Sequence, residues 1–390
     1  MVSTERPHND VLIVGAGPAG STAATLLASR GLRVQLLEAR RFPRQKLCGG
    51  LLTEKTLLLL NRVFGETPRS LHEAGIIDED APTFAVYWRK RRLARSRSEP
   101  PFLLANRQAL DAHLLAHARG AGAEVLEETP VREIVTDPPS VIDLGGHRHA
   151  GRILLGADGV NSLIRRTLTT EGLIHTPAWK ENLASGLECS VPKDQAPQLA
   201  GELMIHLGVV DHGYGWVFPH KDAYLIGVGG LNRTNRGFQR VLADYLDLLG
   251  VPSGVASKVA GHPIPYGNHV PQPAAGSCLL LGDAAGLVDP ILGEGIYYAA
   301  RSAELAANSI LRTDAGPAAA REYVRLLQRE VHPEFEAGLR WRRLVFAGPE
   351  FLRATMSLLA LWGARARVLD VVHGRRGLPQ WGRQARAYDP

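Results

Sequence analysis

The chain has 390 residues, of which 45% are hydrophobic and 22% are charged, a composition typical of globular domains that excludes a disordered protein. This length predicts two or three domains. The net charge of +6 favours contact with anionic surfaces. However, the sequence has no nucleic-acid-binding motif and no interleaved stacking aromatics, so we expect no nucleic-acid partner.

Cysteine and histidine positions limit the kinds of site that the chain can form. Cys48, Cys189 and Cys278 lie far apart and form no CxxC pair, which is typical of a protein from a reducing compartment. The histidines are scattered without metal-ligand spacing, so the sequence predicts no metal site. The first ten residues lack the apolar core of a signal peptide. We therefore expect a cytoplasmic protein.

The first predicted elements are a β-strand, a glycine-rich turn and a helix. An uncharged apolar run predicts a buried parallel strand, and Gly15, Gly17 and Gly20 follow it. The first glycine permits a tight turn, the second lets the backbone approach a pyrophosphate, and the third lets helix and strand pack closely. A second strand, residues 32–37, ends at Glu38, which can accept hydrogen bonds from ribose hydroxyls. The pattern predicts a dinucleotide site, and Glu38 disfavours a 2′-phosphate there.

Two short segments come next along the chain. The run FPRQKLCGGLL contains Lys46, Cys48, Gly49 and Gly50, and its paired glycines allow a loop to lie against a flat ligand. Further on, Asn106 precedes a helical pattern and is a suitable N-cap for it.

Two later segments each combine an apolar strand, an acidic turn and a helix. RILLGADGVNSLIRR contains Asp158, and CLLLGDAAGLVDPILGEGIYYAA contains Asp283. A carboxylate at a strand end can accept hydrogen bonds from ribityl hydroxyls, and the helix after residues 290–295 directs its positive end toward a ligand. These segments resemble the second and third FAD motifs of the p-hydroxybenzoate-hydroxylase-like flavoproteins, and the resemblance covers roughly the first 310 residues.

This resemblance implies that the cofactor is FAD. It also implies that Arg107 lies near the ribityl-pyrophosphate region, with a surface arginine as the open alternative. Gly293 and Gly295 would let the backbone lie close to the flavin ring. The residues expected to contact FAD are Gly15, Gly17, Ala19, Gly20, Glu38, Ala39, Cys48, Gly49, Arg107, Asp158, Gly159, Gly282, Asp283, Pro290, Gly293, Gly295 and Ile296.

Two motifs narrow the resemblance to one family. KxCGG, at residues 46–50, and YxWxFP, at residues 214–219, together resemble the geranylgeranyl reductase family. The resemblance extends over most of the chain and is weakest after about residue 320. It implies saturation of isolated C=C bonds in a prenyl lipid or a related hydrophobic substrate. In that reaction a proton adds to the less substituted carbon, and reduced flavin transfers a hydride to the resulting cation.

Four residues are expected to take part in this reaction. The rings of Tyr214 and Trp216 suit the wall of an apolar pocket and the stabilisation of positive charge, with ordinary core packing as the alternative. Cys48 matches a recurrent pocket cysteine of the family, with a small buried hydrophobe as the alternative. Glu294 is one possible proton source, and Asp289, Tyr214 and bound water are the others. The electron donor stays open between NADPH and ferredoxin, because the sequence has no second dinucleotide motif.

Two other functions remain open on the same fold. One is an FAD-dependent monooxygenase that hydroxylates an aromatic or specialised-metabolite substrate, although the KxCGG and YxWxFP motifs argue against it. The other is a non-catalytic flavin-binding redox module. The sequence indicates neither the oligomeric state nor the identity of the hydrophobic substrate.

The motifs also predict the domain organisation. A Rossmann-like α/β domain that binds FAD is discontinuous, and a mostly antiparallel β-sheet substrate domain is inserted into it. The predicted bounds are 1–77, 101–171 and 262–314 for the FAD domain, 78–100 and 172–261 for the substrate domain, and 315–390 for a helical region. That last region mixes arginines with Trp341, Phe346, Phe351, Leu358, Leu359 and Trp362. It is either an amphipathic surface peripheral to the inner face of the membrane or a helical cap with solvated arginines.

Overall fold

The structure is a computed structural model that describes residues 9–177 and 179–348, together with His373 and Arg375. Within these residues the chain forms two sheets of eight strands each, with helices packed on them. The mixed α/β architecture confirms the predicted fold class. The predictions for Phe351, Leu358, Leu359 and Trp362 lie outside the described residues.

The helices begin and end at the following residues: α1 (Pro18–Ala28), α2 (Glu54–Phe64), α3 (Pro68–Glu73), α4 (Arg107–Gly120), α5 (Leu163–Thr170), α6 (Phe238–Leu249), α7 (Ile296–Thr313), α8 (Pro317–Glu330) and α9 (His332–Val345). The strands are β1 (Asn9–Val14), β2 (Val34–Leu37), β3 (Leu51–Leu52), β4 (Ile77–Trp88), β5 (Arg91–Ala105), β6 (Glu124–Leu126), β7 (Val131–Thr136), β8 (Pro139–Asp143), β9 (Arg148–Gly156), β10 (Leu183–Pro192), β11 (Leu203–Leu207), β12 (Gly213–Pro219), β13 (Ala223–Leu231), β14 (Ala260–Pro265), β15 (Ala274–Ala275) and β16 (Cys278–Leu280).

The first sheet has a parallel centre in the order β16-β9-β1-β2-β6. Strand β1 is apolar on both faces because both are buried, and Val11, Leu12 and Ile13 have no exposed surface. Helix α1 packs against α4 and α7 on this sheet. The carboxyl ends of β1, β9 and β16 therefore meet at one edge, where the three acidic or glycine-rich turns follow.

The second sheet has the order β14-β10-β13-β12-β11-β4-β5-β3, and its pairs are antiparallel except for β4 with β11. Helix α6 covers one face, where the Tyr245 ring packs on Gly215 so closely that a Cβ there would lie 2.7 Å from it. The opposite face carries Phe218, and Gly49 lies against the ring of that residue. A mostly antiparallel inserted sheet was predicted, and the structure has one.

The predicted boundary at residues 100 and 101 was wrong. Strand β5 continues through it to Ala105, because Phe102, Leu103 and Leu104 pair with β4 in the same antiparallel ladder. Strand β14 likewise pairs with β10, so residues 262–265 belong to the second sheet and not to the FAD domain. Both boundaries lie near prolines, and residues 95–101 are polar, so the sequence there is typical of a loop although the strands continue.

Helices α8 and α9 form the described part of the predicted C-terminal helical region. Helix α8 buries Tyr323, Leu326 and Leu327 against the first sheet and α7, which is the packing expected of a helical cap. Among the helices that the structure describes, none is both long enough and apolar enough to cross a bilayer.

Candidate functional site

The glycine-rich turn between β1 and α1 is closely packed at two glycines and open at the third. Gly15 has a φ of +98°, and a Cβ there would lie 2.3 Å from the Ala157 carbonyl oxygen. A Cβ on Gly20 would lie 1.8 Å from the Gly15 carbonyl oxygen. By contrast, a Cβ on Gly17 would meet only the Arg44 guanidinium, at 3.7 Å. The N-terminus of α1 and Arg44 thus border a space suited to a pyrophosphate.

We expect alanine substitutions to separate these two roles. Gly20→Ala should abolish FAD binding by displacing the turn itself, because the new methyl group overlaps the Gly15 carbonyl. Gly17→Ala should leave the fold intact and cost FAD about 1–3 kcal/mol of binding free energy, since its methyl group enters only the ligand space. The flavin-to-protein absorbance ratio and far-UV circular dichroism measure both effects. A Gly20→Ala protein with wild-type flavin content would contradict this account of the turn.

Glu38 ends β2 and is anchored to the same turn. Its Oε2 accepts a hydrogen bond from the Ala16 N–H at 2.8 Å, and its Oε1 accepts one from the Arg40 N–H at 3.0 Å. The Arg44 Nε lies 3.8 Å from Oε1. Each carboxylate oxygen keeps a lone pair for a ribose hydroxyl, so the position fits the predicted adenosine contact. Ala39, the next residue, is exposed.

Buried positive charge surrounds the cleft beyond this turn. Arg107 donates to Asp111 through Nε at 3.1 Å and Nη2 at 2.9 Å. Burial lowers the pKa of Arg107, but Asp111 and Cys48 outweigh burial, so the net shift is upward and the guanidinium stays charged. Arg44 also reaches Asp111, at 3.4 Å. Since Asp111 neutralises only part of this charge, the cleft favours an anionic cofactor.

Lys46, the first residue of KxCGG, lies in the same cleft. Burial lowers its pKa, with Asp283 opposing the shift. Burial and Lys46 together lower the pKa of His262 to about 4, so the neutral imidazole can accept a hydrogen bond from the ammonium across 2.6 Å.

The two acidic turns differ in what their carboxylates do. Asp158 accepts hydrogen bonds from the backbone N–H groups of Leu163 and Ile164, at 2.7 and 3.3 Å, and so supports the start of α5. Its second oxygen has no partner among the described residues. Asp283, which follows the positive-φ Gly282, accepts no side-chain hydrogen bond from the described residues. Asp283 therefore offers both oxygens to a ligand, as expected for a ribityl contact.

Asp289 stabilises the loop at residues 290–295 through hydrogen bonds to its backbone. Its Oδ1 accepts hydrogen bonds from the backbone N–H groups of Ile291 and Leu292, at 2.8 and 2.5 Å. Burial raises the pKa of Asp289 to about 6, although Lys55 lowers it. Gly293, at φ +71°, and Gly295 lie in this loop, which leads directly into α7 at Ile296. Pro290, the first residue of this loop, is buried.

Glu294 is engaged in a buried ion pair and not aimed at a substrate. Its Oε2 lies 2.7 Å from the Lys55 Nζ, and its Oε1 accepts hydrogen bonds from the Thr53 and Thr56 hydroxyls at 2.6 and 3.1 Å. Lys55 also donates to the Tyr298 hydroxyl at 3.2 Å. The Glu294 carboxylate is thus engaged by three other side chains and is not among the described residues that line the cavity beside Glu188, so the geometry does not favour it over the other possible proton sources.

Strand β12 presents three rings on one face because alternate residues of a strand point the same way. This aromatic face consists of Tyr214, Trp216 and Phe218. The Tyr214 and Trp216 ring centres lie 6.0 Å apart, and those of Trp216 and Phe218 lie 6.4 Å apart. A Cβ on the neighbouring Gly227 would lie 2.3 Å from the Trp216 ring. The glycine therefore lets the indole lie flat across β13, and any side chain there would lift it.

The KxCGG segment lies against this aromatic face. A Cβ on Gly49 would lie 2.4 Å from the Phe218 ring, and a Cβ on Gly50 would lie 2.1 Å from the Ala105 carbonyl oxygen. The Gly50 N–H donates to the Cys48 Sγ at 3.4 Å, and Cys48 is half-buried. The paired glycines thus let the loop approach a ring, as predicted, but the ring in contact here belongs to the protein.

Glu188 is a buried acid that the sequence analysis did not identify. It lies on β10 opposite Gly227, which lies opposite Trp216 on β12, so the three residues form one row across the same sheet face. Burial raises the pKa of Glu188 to about 7, although the Cys48 backbone N–H and Arg107 lower it. Its Oε2 is buried without a partner in the described part of the chain. Nothing local marks Glu188 as an acid of a site, because only the sheet register brings it to Trp216.

A cavity of about 300 Å³ lies next to Glu188, and its lining within the described residues includes none of the three rings of the aromatic face. Its lining residues come from the KxCGG segment, the start of α4 and the second sheet, and they include Cys48, Arg107, Glu188, Ser190 and Leu225. The structure thus brings together Cys48, Gly49, Arg107 and the aromatic face. It places the Asp158–Gly159 turn at the start of α5 and Ala19 inside α1.

Comparisons with known proteins agree with this geometry. A family model described as an FAD binding domain matches residues 8–199. An uncharacterized protein of Methanosarcina barkeri is 31% identical over 304 residues, covering 77% of this chain and 74% of that protein. A menaquinone reductase of Mycolicibacterium smegmatis is 29% identical over 76% of this chain and 75% of its own. A geranylgeranyl diphosphate reductase of Synechocystis is 27% identical over 78% and 75%.

Solved structures share the fold. A geranylgeranyl bacteriochlorophyll reductase-like protein from Thermoplasma acidophilum has a TM-score of 0.74 at 21% identity, covering 92% of this chain and 91% of that chain. A probable FAD-dependent monooxygenase from Pseudomonas aeruginosa has a TM-score of 0.67 at 22% identity, covering 88% and 98%. A halogenase in complex with phloroglucinol and FAD has a TM-score of 0.70 at 18% identity, covering 95% and 87%.

Proposed function

Because this chain belongs to the geranylgeranyl reductase family of FAD-dependent oxidoreductases, we propose that it saturates C=C bonds of a prenyl lipid or a related hydrophobic substrate. The observation that carries the proposal is the row formed by Trp216, Gly227 and Glu188, which sets an aromatic ring beside a buried acid. The relatives named menaquinone reductase and geranylgeranyl diphosphate reductase support the same substrate class.

The residues at the proposed FAD site fit that cofactor. Gly17 leaves open space at the start of α1, Glu38 keeps lone pairs for a ribose, and Asp283 offers an unengaged carboxylate. Arg44 and Arg107 supply charge that suits the pyrophosphate. When bound and reduced, FAD supplies the hydride that the reaction requires.

Saturation of one C=C bond adds one hydride and one proton, and the protein must supply the proton. Glu188 suits this role because burial raises its pKa to about 7, which keeps a large fraction of it protonated near neutral pH. Glu188 lines the cavity, and its buried Oε2 has no hydrogen-bond partner among the described residues, so no described group competes with a substrate for it. After donation, Arg107 is the charge that stabilises the carboxylate.

The aromatic face suits the cationic carbon that protonation creates. The π-faces of Tyr214 and Trp216 attract positive charge without accepting the proton. The Tyr214 hydroxyl donates to the Leu292 carbonyl oxygen, which joins this face to the loop at residues 290–295. Burial, reinforced by Asp289, raises the pKa of Tyr214, so the phenol stays neutral and acts as a wall of the pocket. Cys48 lines the same cavity.

An anaerobic turnover experiment tests the proposed function. The purified flavoprotein is reduced with dithionite under argon, which removes dependence on NADPH or ferredoxin. Geranylgeranyl diphosphate, a menaquinone and a prenyl glycerolipid are then added, and the products are read by mass spectrometry. We expect a mass gain of about two per reduced bond together with flavin reoxidation under argon. Reoxidation that requires oxygen and inserts an oxygen atom into an aromatic substrate would instead identify a monooxygenase. Flavin that stays reduced with every substrate would favour the redox module.

A further inference from the structure

We propose that Glu66, His113 and His117 form a binding site for a divalent transition metal such as zinc. The site lies outside the FAD cleft. Glu66 comes from the link between α2 and α3, and both histidines come from α4. Their ligand atoms all lie within 4.8 Å of one another.

The three side chains converge on a single point. The His113 Nε2 lies 2.7 Å from the Glu66 Oε1, and the His117 Nε2 lies 2.9 Å from the same oxygen. The two Nε2 atoms are 3.3 Å apart. Without a cation, each ring can donate an N–H to this oxygen, which has two lone pairs. A cation instead binds the lone pairs of all three atoms at once.

The distances are close to those of a zinc site. Zinc–nitrogen bonds of about 2.0–2.1 Å in a tetrahedron put neighbouring ligand atoms about 3.3 Å apart. The two histidine nitrogens already have this separation. The two contacts to the Glu66 oxygen need to lengthen by roughly half an ångström, which a side-chain rotation achieves. Two histidines and one carboxylate are an established ligand set for such metals, with the remaining position available to water.

Neighbouring groups hold the ligands in place. The Ser70 hydroxyl donates to the Glu66 Oε2 at 2.5 Å, which leaves Oε1 directed at the histidines. The Phe64 ring packs against the His117 ring with centres 5.2 Å apart. Glu66 is buried and the two histidines are half-buried, so an ion could enter from solvent and be partly enclosed. Supporting contacts of this kind orient metal ligands and raise affinity.

The place of the cluster in the fold suggests what a bound metal would do. Helix α4 begins at Arg107 in the FAD cleft, and α2 begins beside Lys55 and Glu294. A metal held by Glu66, His113 and His117 would clamp the far end of α2 to α4. It would therefore stabilise the two helices that border the cleft without entering it.

No metal site was predicted from the sequence, and the spacing of one histidine pair was not considered. His113 and His117 are four residues apart on α4 and thus share one helix face. The third ligand, Glu66, is 47 residues before His113, and no local signal connects them.

Zinc binding by tag-free holoenzyme tests the proposal. The protein is treated with EDTA, dialysed against micromolar zinc chloride, and assayed for bound metal by mass spectrometry. We expect about one zinc per chain in wild type, and affinity lowered at least tenfold in His113→Gln, His117→Gln and Glu66→Gln. His72→Gln is the matched control, because His72 pairs with Asp80 at 2.8 Å but belongs to no three-ligand cluster within the described residues. Zinc should also raise the melting temperature of wild type and of this control, but not that of the three variants.

Flavin absorbance verifies that each variant is folded. Zinc uptake by the His113→Gln, His117→Gln double variant equal to that of wild type would overturn the proposal. So would wild-type protein that retains no zinc above the His113→Gln level. Neither result bears on the proposed reductase activity, because the assay requires no substrate and no turnover.

Discussion

Glu188→Gln should lower turnover of a prenyl substrate by about 100-fold or more, because the amide cannot donate the proton that the reduced bond requires. The change is nearly isosteric, and the Glu188 Oε2 has no hydrogen-bond partner among the described residues. FAD content should therefore stay at the wild-type level. Steady-state turnover and the flavin-to-protein absorbance ratio measure the two effects on the same samples.

The pH profile gives this prediction a second readout. Burial raises the pKa of Glu188 to about 7, and a proton donor works only when it is protonated. Wild-type turnover should therefore be constant below about pH 7 and fall about tenfold per unit above it. This fall in turnover above pH 7 should be absent from the Glu188→Gln variant. Above about pH 7 Glu188 ionises in the folded protein, and because burial disfavours the charged form, the wild type loses stability there. Glutamine cannot ionise, so at pH 8 the variant should unfold at a temperature no lower than that of the wild type.

Glu79→Gln is the matched control for this substitution. Glu79 lies on β4 of the same sheet and pairs with Lys193 at 2.7 Å near the surface, so its loss should leave turnover unchanged. If the Glu188→Gln variant turned over as fast as the wild type and lost activity above pH 7 in the same way, the proton would have to come from another group. Asp289, whose pKa burial raises to about 6, would then be the next group to test.

Lys55→Met should lower the free energy of unfolding by about 3–5 kcal/mol, because it leaves the buried Glu294 without its cation. Lys55 is 4% exposed and Glu294 is 8% exposed, so water cannot replace the lost partner. The Lys55 ammonium also lies 4.5 Å from the ring centres of Tyr297 and Tyr298, and these contacts disappear with it. Urea unfolding followed by circular dichroism measures the difference.

Lys193→Met is the control for burial. Lys193 and Glu79 form an ion pair of the same 2.7 Å length, but both are about a third exposed, so its loss should cost less than about 1 kcal/mol. The double variant Lys55→Met, Glu294→Leu should recover part of the lost stability, since it removes the unpaired charge. Equal destabilisation by Lys55→Met and Lys193→Met would refute the role assigned to the buried pair.

Several features of the site were predictable because short-range chemistry determines them. Gly15 and Gly20 can be identified in the sequence because glycine adopts a positive φ most readily and because only glycine tolerates a backbone oxygen within 2.3 Å of its Cβ position. Glu38 could be predicted as a ribose contact because it is the residue at which the second strand ends. Asn106 was predicted as an N-cap, and its Oδ1 does accept hydrogen bonds from the Gln108 and Ala109 N–H groups.

Other features depended on contacts between residues far apart in the sequence. In the sequence, a glutamate at position 294 is compatible with a helix cap and with a proton donor. Only the structure shows that its carboxylate pairs with Lys55 of α2. The boundary near residue 100 was misplaced because β5 continues through it, and strand pairing is not encoded in local composition.

The sequence by itself determined the cofactor class, the fold class and the aromatic face, because a turn, a buried strand and alternate strand positions each depend on neighbouring residues. Only the tertiary structure decided which acid lies beside those rings on the same side of the sheet. Glu188 reaches Trp216 through the register of β10, β13 and β12, and a shift of one residue would turn it to the other side of the sheet. The same is true of Glu66, which meets His113 and His117 only because two helices pack together.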